Sequence, residues 1–293
     1  LWDRRYDYSE VLAPIVEAVA PLGGDYQARM WRGFRERWID VYENDGKRSG
    51  AYSAPVYGVH PYMLMNWTDT LDDVFTLAHE MGHSMHTLLA HRSQPFVYAG
   101  YTIFVAEVPS TLNEALFLDL MLTRARSREE RAVLLQHAVD SIAGTFYTQV
   151  MFADFELQAH RLVEADEPVT AEALNAIYEG LLRDYYGDAV DYDTLARHTW
   201  ARIPHFFGSP YYVYQYATCF ATTARLMQDI RSDKPDVAVI ADEQARPTRE
   251  RPQRGQQRRE PSSRSPDGKW TVWFENLKAG GPRGRPFERG VVR

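Results

Sequence analysis

A mainly α-helical domain with a small β-sheet is what this sequence predicts, on three observations. Apolar residues recur at helical spacing through most of the first 235 positions. The main exception is an aromatic-rich stretch over residues 51–67, interrupted by Gly58 and Pro61. Finally, 45% hydrophobic and 25% charged residues is the composition of a chain able to bury a sizeable core.

The elements follow in order. Residues 11–20 and 26–42 carry apolar side chains at helix-like intervals, and Asp45-Gly46-Lys47-Arg48-Ser49-Gly50 reads as a turn. Residues 51–57 and 62–67 read as a pair of short strands. Thr70 followed three residues later by Asp73 marks a helix start, and that helix is expected over 71–91. Pro95 and Gly100 bracket a loop, and helical patterning resumes near Ile103 and runs to Arg126. A single long helix is expected over 127–165, another over 170–186 opened by Thr170, and a last one over 211–231.

Beyond these the sequence changes character. Arg, Pro, Gly, Ser and Gln dominate, and only Lys269–Leu277 could form a strand. Such composition buries too little apolar surface to offset chain entropy. The division expected is a folded unit over residues 1–240 and an Arg/Pro-rich tail, disordered or anomalous, over 241–293.

Charge and cysteine content narrow the function classes. Net charge is −7. The basic excess lies beyond Arg246, so the body is acidic, which argues against a nucleic-acid partner. The one cysteine, Cys219, cannot form an internal disulfide and is read as a small buried hydrophobe. Leu1-Trp2-Asp3-Arg4-Arg5 does not open a signal peptide, and no apolar run approaches the ~20 residues that span a bilayer. A cytoplasmic location without membrane attachment is therefore expected.

The chemistry concentrates in Leu77-Ala78-His79-Glu80-Met81-Gly82-His83-Ser84-Met85-His86. Here His-Glu-x-x-His falls inside a predicted helix, so two imidazoles one turn apart can reach the same cation. Neutral imidazole suits zinc, and Glu80 is placed to take a proton from a zinc-bound water. A catalytic zinc site needs a third protein ligand. The continuation His-x-x-Gly-x-x-His is excluded, because His86 stands where glycine is required and Leu89 where histidine is required. A downstream carboxylate is the alternative. Glu107, an acid among apolar residues, and Glu114, two helical turns on, both qualify, with Glu107 preferred. The other of the pair could orient a liganding histidine from behind. His86 and His91 are read as packing or surface residues. Arg124, Arg126, Arg128 and Arg131, with Glu129 and Glu130, read as a solvated face.

The motif at 79–86 and the run over 94–114 closely resemble the thimet oligopeptidase family of zinc peptidases, in particular its oligoendopeptidase F members. Residues 37–42, 46–52 and 60–67 resemble the same family, and the likeness extends over roughly residues 1–240. It implies a zincin-like helical metallopeptidase catalytic domain with one Zn2+ per chain, held by His79, His83 and Glu107. Glu80 would be the general base and Glu114 would support a ligand. The segments 203–207 and 211–218 resemble the part of the family in which a His and a Tyr contact substrate and the tetrahedral intermediate. Those roles carry over to His205 and Tyr214, with Tyr211 as a further substrate-binding residue. The strand pair would offer an edge on which a peptide lies extended.

Two departures from the family pattern stand out. Family members are about twice this length, with an N-terminal half over the active-site channel, and they end in helices rather than in Arg/Pro-rich sequence. The function expected is a zinc-dependent endopeptidase hydrolysing short oligopeptides through a metal-activated water. The alternatives are a zinc carboxypeptidase, or a truncated, non-catalytic fragment that binds zinc or peptide. Short peptides are the expected partners, together with the N-terminal portion of such an enzyme.

Overall fold

In the computed structural model, which describes residues 4–232, the chain opens with two helices. Asp7 caps α1 (Tyr8–Ala18) by accepting from the Ser9 amide at 2.8 Å, and the helix buries Val11, Ile15 and Val16. Helix α2 (Gly24–Arg35) follows. The helical spacing expected over 26–42 does not persist. The chain turns at Arg37, whose φ is 62°, and continues as strand β1 (Ile39–Tyr42). The reason lies in the residues themselves. Ile39 and Val41 are β-branched and alternate with exposed Asp40 and Tyr42, which is strand periodicity set immediately after a helical one.

The expected strand pair is therefore a three-stranded sheet in the order β1-β3-β2. Strand β3 (Tyr62–Trp67) is central, parallel to β1 with Ile39 opposite Met63. It is antiparallel to β2 (Tyr52–Ala54), with Ser53 opposite Met63. Only β2, shorter than expected, presents an edge on that side. Met63, Met65 and Trp67 point from β3 into the core.

Helix α3 (Leu71–Ser93) starts with the anticipated capping box. The Asp73 amide donates to Thr70 Oγ1 at 3.2 Å, and the Thr70 amide donates to Asp73 Oδ2 at 2.9 Å. Helix α4 (Glu107–Arg124) packs across α3. Their contact is unusually close at Gly82, where a Cβ would lie 2.5 Å from the Pro109 carbonyl oxygen and 2.6 Å from Ser110 Cα. Asn113, buried in α4, donates to the Ala78 carbonyl at 3.1 Å and ties the helices together just above the motif.

The single helix expected over 127–165 is instead α5 (Arg128–Ser141), a π-helical turn (Ile142–Tyr147) and α6 (Thr148–Glu164). Gly144 weakens the α-helix there, and Thr148 Oγ1 bonds the Ala143 carbonyl at 2.8 Å. Helix α7 (Ala171–Tyr186) is capped by Thr170 as expected. A short helix α8 (His205–Gly208) precedes α9 (Tyr214–Arg231), which begins three residues later than the spacing suggested.

Two hydrophobic clusters support this arrangement. One joins α1, α2, the sheet, α3, α4 and Met227 of α9. The other gathers Met151, Phe152 and Phe155 of α6 with Tyr178, Leu181 and Leu182 of α7 and with Val213. Cys219 is buried, its thiol on the Phe104 carbonyl. Among the described residues, no helix is long and apolar enough to cross a membrane. The tail over 241–293, with the strand expected at Lys269–Leu277, lies outside the described residues.

Candidate metal centre

His79 and His83 project from one face of α3, their Nε2 atoms 3.2 Å apart. Glu107 arrives as the first residue of α4, where a carboxylate is favoured by the exposed amides of a helix N-terminus. Its Oε2 lies 3.2 Å from His79 Nε2 and 3.3 Å from His83 Nε2. One donor atom from each of the three residues falls within 4.8 Å of the others. The close approach at Gly82, immediately before His83, is what lets the start of α4 come so near.

Glu107 is only 5% exposed, and a carboxylate so buried requires partners. Ser110 Oγ donates to its Oε2 at 3.0 Å, and the Tyr212 hydroxyl donates to its Oε1 at 3.0 Å. Burial works against ionisation, yet hydrogen bonds from His79 and His83 outweigh it and hold the Glu107 carboxyl well below the usual carboxylate range. Behind His79, Glu114 Oε1 sits 2.5 Å from Nδ1, which orients the ring so that Nε2 faces the focus. Burial opposes charge on His79 as well, but Glu107 and Glu114 together raise its pKa well above the ordinary imidazole value. Two carboxylates thus create a field that draws a cation to this point, whether a proton or a metal ion. The donor set, two imidazole nitrogens and one carboxylate oxygen, is the chemistry of a catalytic zinc site.

Glu80 is buried beside the histidines, and its Oε2 has no hydrogen-bond partner. Burial pushes its carboxyl pKa up, against the opposing pull of His79 and His83. A cavity of about 340 Å3 opens next to it, bordered by His79, Glu80 and Glu114, with Ala51 and Phe75 among its walls.

The aromatic segment before α9 meets the triad through Tyr212. His205 stacks on the Tyr212 ring at 5.0 Å and stands edge-on to Tyr216 at 6.1 Å. Burial, Tyr216 and the Glu107 carboxylate all raise the Tyr212 pKa, and burial followed by Glu107 pushes Tyr216 up to about 12. Tyr214 is 40% exposed and, among the described residues, has no hydrogen bond or ring contact. Tyr211, 48% exposed, stacks on His160 at 4.7 Å. Sequence reasoning passed over Tyr212, Ser110 and Asn113. A signal for Tyr212 was present: it stands four residues before Tyr216, and the two rings meet at 5.2 Å. His86 and His91 pack, against Tyr101 and Tyr57 respectively.

Fold and site together describe a helical protein with a two-histidine, one-carboxylate cluster built from a His-Glu-x-x-His helix and the helix after it. The chain belongs to peptidase family M3, whose profile matches residues 23–243. It is 42% identical to the oligopeptidase PepF of Bacillus subtilis (strain 168) over 234 residues, which are 80% of this chain and 35% of that protein. It is likewise 42% identical to the plasmid oligoendopeptidase F of Lactococcus lactis subsp. cremoris over 226 residues, 77% of this chain and 37% of the relative. Among solved structures, a Chlamydophila abortus protein aligns with a TM-score of 0.69 at 40% identity, covering 83% of this chain and 41% of that one. Oligoendopeptidase-F from Enterococcus faecium aligns with a TM-score of 0.56 at 30% identity, covering 80% and 35% respectively. The family expected from the motifs is the family found. This chain spans little more than a third of the length of the curated relatives it matches.

Proposed function

We propose that this chain is the catalytic part of a zinc-dependent endopeptidase that hydrolyses short oligopeptides, with Zn2+ held by His79, His83 and Glu107. One observation carries the reading: two imidazoles and a buried carboxylate converge within 4.8 Å on adjacent helices. When bound, zinc supplies Lewis acidity to the reaction. Glu80, whose raised pKa makes it a stronger base than an exposed carboxylate, takes a proton from the attacking water and delivers it to the leaving amine. Glu114 keeps His79 in its orientation. His205 and Tyr214 donate hydrogen bonds to the developing oxyanion, a role supported by the stacking of His205 beside Glu107's partner Tyr212 and by the uncommitted hydroxyl of Tyr214. The exposed ring of Tyr211 offers an apolar surface to the substrate. The free edge of β2 begins next to Ala51 in the cavity wall, and an extended peptide could pair there without regard to its sequence.

The test is hydrolysis of an internally quenched peptide of about ten residues with a blocked C-terminus. Cleavage should stop with chelator, return with zinc, and fall at least roughly a hundredfold in Glu80→Gln. Cleavage only of peptides with a free C-terminus would instead indicate a carboxypeptidase. The short span relative to the family gives a second reading its standing, a fragment that binds zinc without turnover. Stoichiometric zinc with no cleavage of any peptide would establish it.

A further inference from the structure

Tyr211 holds its backbone in the left-handed region, with φ at 58°, an uncommon conformation for a residue with a Cβ. Both polar groups of its backbone are gripped by buried side chains. Its amide donates to Glu156 Oε1 at 2.6 Å, and its carbonyl accepts from Gln215 Nε2 at 3.0 Å. Glu156 is 5% exposed, and Gln215 is equally buried. A buried carboxylate whose bond runs to the main chain of a residue 55 positions away is an expensive feature in a peptidase core. It sits on α6 directly after Phe155, which packs on Phe206 at 5.0 Å, so the grip is backed by the second hydrophobic cluster.

The next residue after this turn is Tyr212, whose hydroxyl reaches Glu107. We propose that Glu156 is a positioning residue: with Gln215 it clamps the Tyr211 peptide in its strained turn and thereby holds Tyr212, with His205 stacked on it, against the metal centre. The chain of contact is continuous. Glu156 fixes the Tyr211 amide, the turn directs Tyr212 towards Glu107, and His205 stacks on Tyr212. An acceptor at position 156 is what the clamp needs; its negative charge is not. The catalytic side of the inference rests on the peptidase reading above.

Three variants test it: Glu156→Gln, which keeps an acceptor oxygen; Glu156→Leu, which keeps the volume alone; and Gln215→Met, which opens the other jaw. Hydrogen exchange of the segment 209–216, followed by mass spectrometry, reads the clamp without any reference to activity. Exchange there should rise about tenfold or more in Glu156→Leu and Gln215→Met, and stay near wild type in Glu156→Gln. Zinc content should be unchanged in all three. In peptide hydrolysis, Glu156→Leu should lose about tenfold or more in kcat with KM within about twofold, and Glu156→Gln should restore it. If Glu156→Leu fails to fold, Gln215→Met carries the same comparison. Unchanged exchange in both opened variants overturns the clamp whatever the activity. Equal kcat in Glu156→Leu, Gln215→Met and wild type overturns its catalytic purpose. Raised exchange with no peptide cleaved even by wild type upholds the clamp, and it is the peptidase reading that then falls.

Discussion

Gly82 and Ser110 touch backbone to backbone: a Cβ at position 82 would lie 2.6 Å from Ser110 Cα. That contact sets the separation of α3 and α4, and with it the distance from the two histidines to Glu107. Adding one methyl group should force the helices apart. Gly82→Ala is expected to cost at least roughly 1–3 kcal/mol of stability, as overpacked cores do, and to abolish stoichiometric zinc binding. Thermal unfolding and metal analysis check both, and a variant that still binds zinc as wild type does would show that the contact is not what sets the site.

The two carboxylates around His79 should separate by role. Glu107→Ala removes a donor atom at the focus and is expected to lose stoichiometric zinc. Glu114→Gln leaves the donors in place but loosens His79, and should weaken zinc by about 10–100-fold. Competition against a chelator of known affinity ranks the two. Equal losses would mean that Glu114 contributes more than orientation.

Tyr212 and Tyr214 should also separate. Tyr212→Phe removes a hydrogen bond to Glu107 and is expected to weaken zinc affinity by about tenfold or more, the worth of one hydrogen bond to a charged group. Tyr214→Phe should leave zinc untouched and lower kcat by about a hundredfold, the effect of losing one oxyanion donor. If the two variants exchange these signatures, the oxyanion donor is Tyr212.

Acid should destabilise the protein through His86. Burial drives its pKa down to about 4, with His83 adding to the effect, and its Nδ1 has no hydrogen-bond partner. An imidazole depressed in the folded state stays neutral while the unfolded one takes up a proton, so stability falls as pH drops from about 6.5 towards 4. The loss over that window amounts to roughly 3 kcal/mol. His86→Phe, which keeps a ring against Tyr101, should flatten this part of the curve. Denaturant unfolding at several pH values measures it, and parallel curves for the two proteins would exclude His86 as the source.

Much of this was legible in the sequence because it is local. Helical periodicity sets His79 and His83 on one face, since residues four apart lie one turn apart in any α-helix. The pairing of Thr70 with Asp73 marks the start of that helix for the same reason. Other features were misread where two local patterns adjoin. The helical spacing of α2 runs into the strand alternation of β1, and the π-helical turn at Ile142–Tyr147 interrupts an otherwise continuous helical pattern.

By itself the sequence singled out the candidate residues, which of them share a helix face, and the family to which the chain belongs. Spacing two turns along one helix favoured Glu107 over Glu114 only slightly, and it was the family resemblance that assigned Glu107 to the metal and Glu114 to a supporting place. Only the tertiary structure decided which oxygen stands at Nε2 of both rings and which stands behind Nδ1, and that Tyr212 is the tyrosine bonded to Glu107. The reason is physical. Position along one helix follows from bond geometry within the chain, whereas the meeting of α3, α4 and the turn before α9 depends on how closely separate backbones can pack, here at Gly82 and at Tyr211.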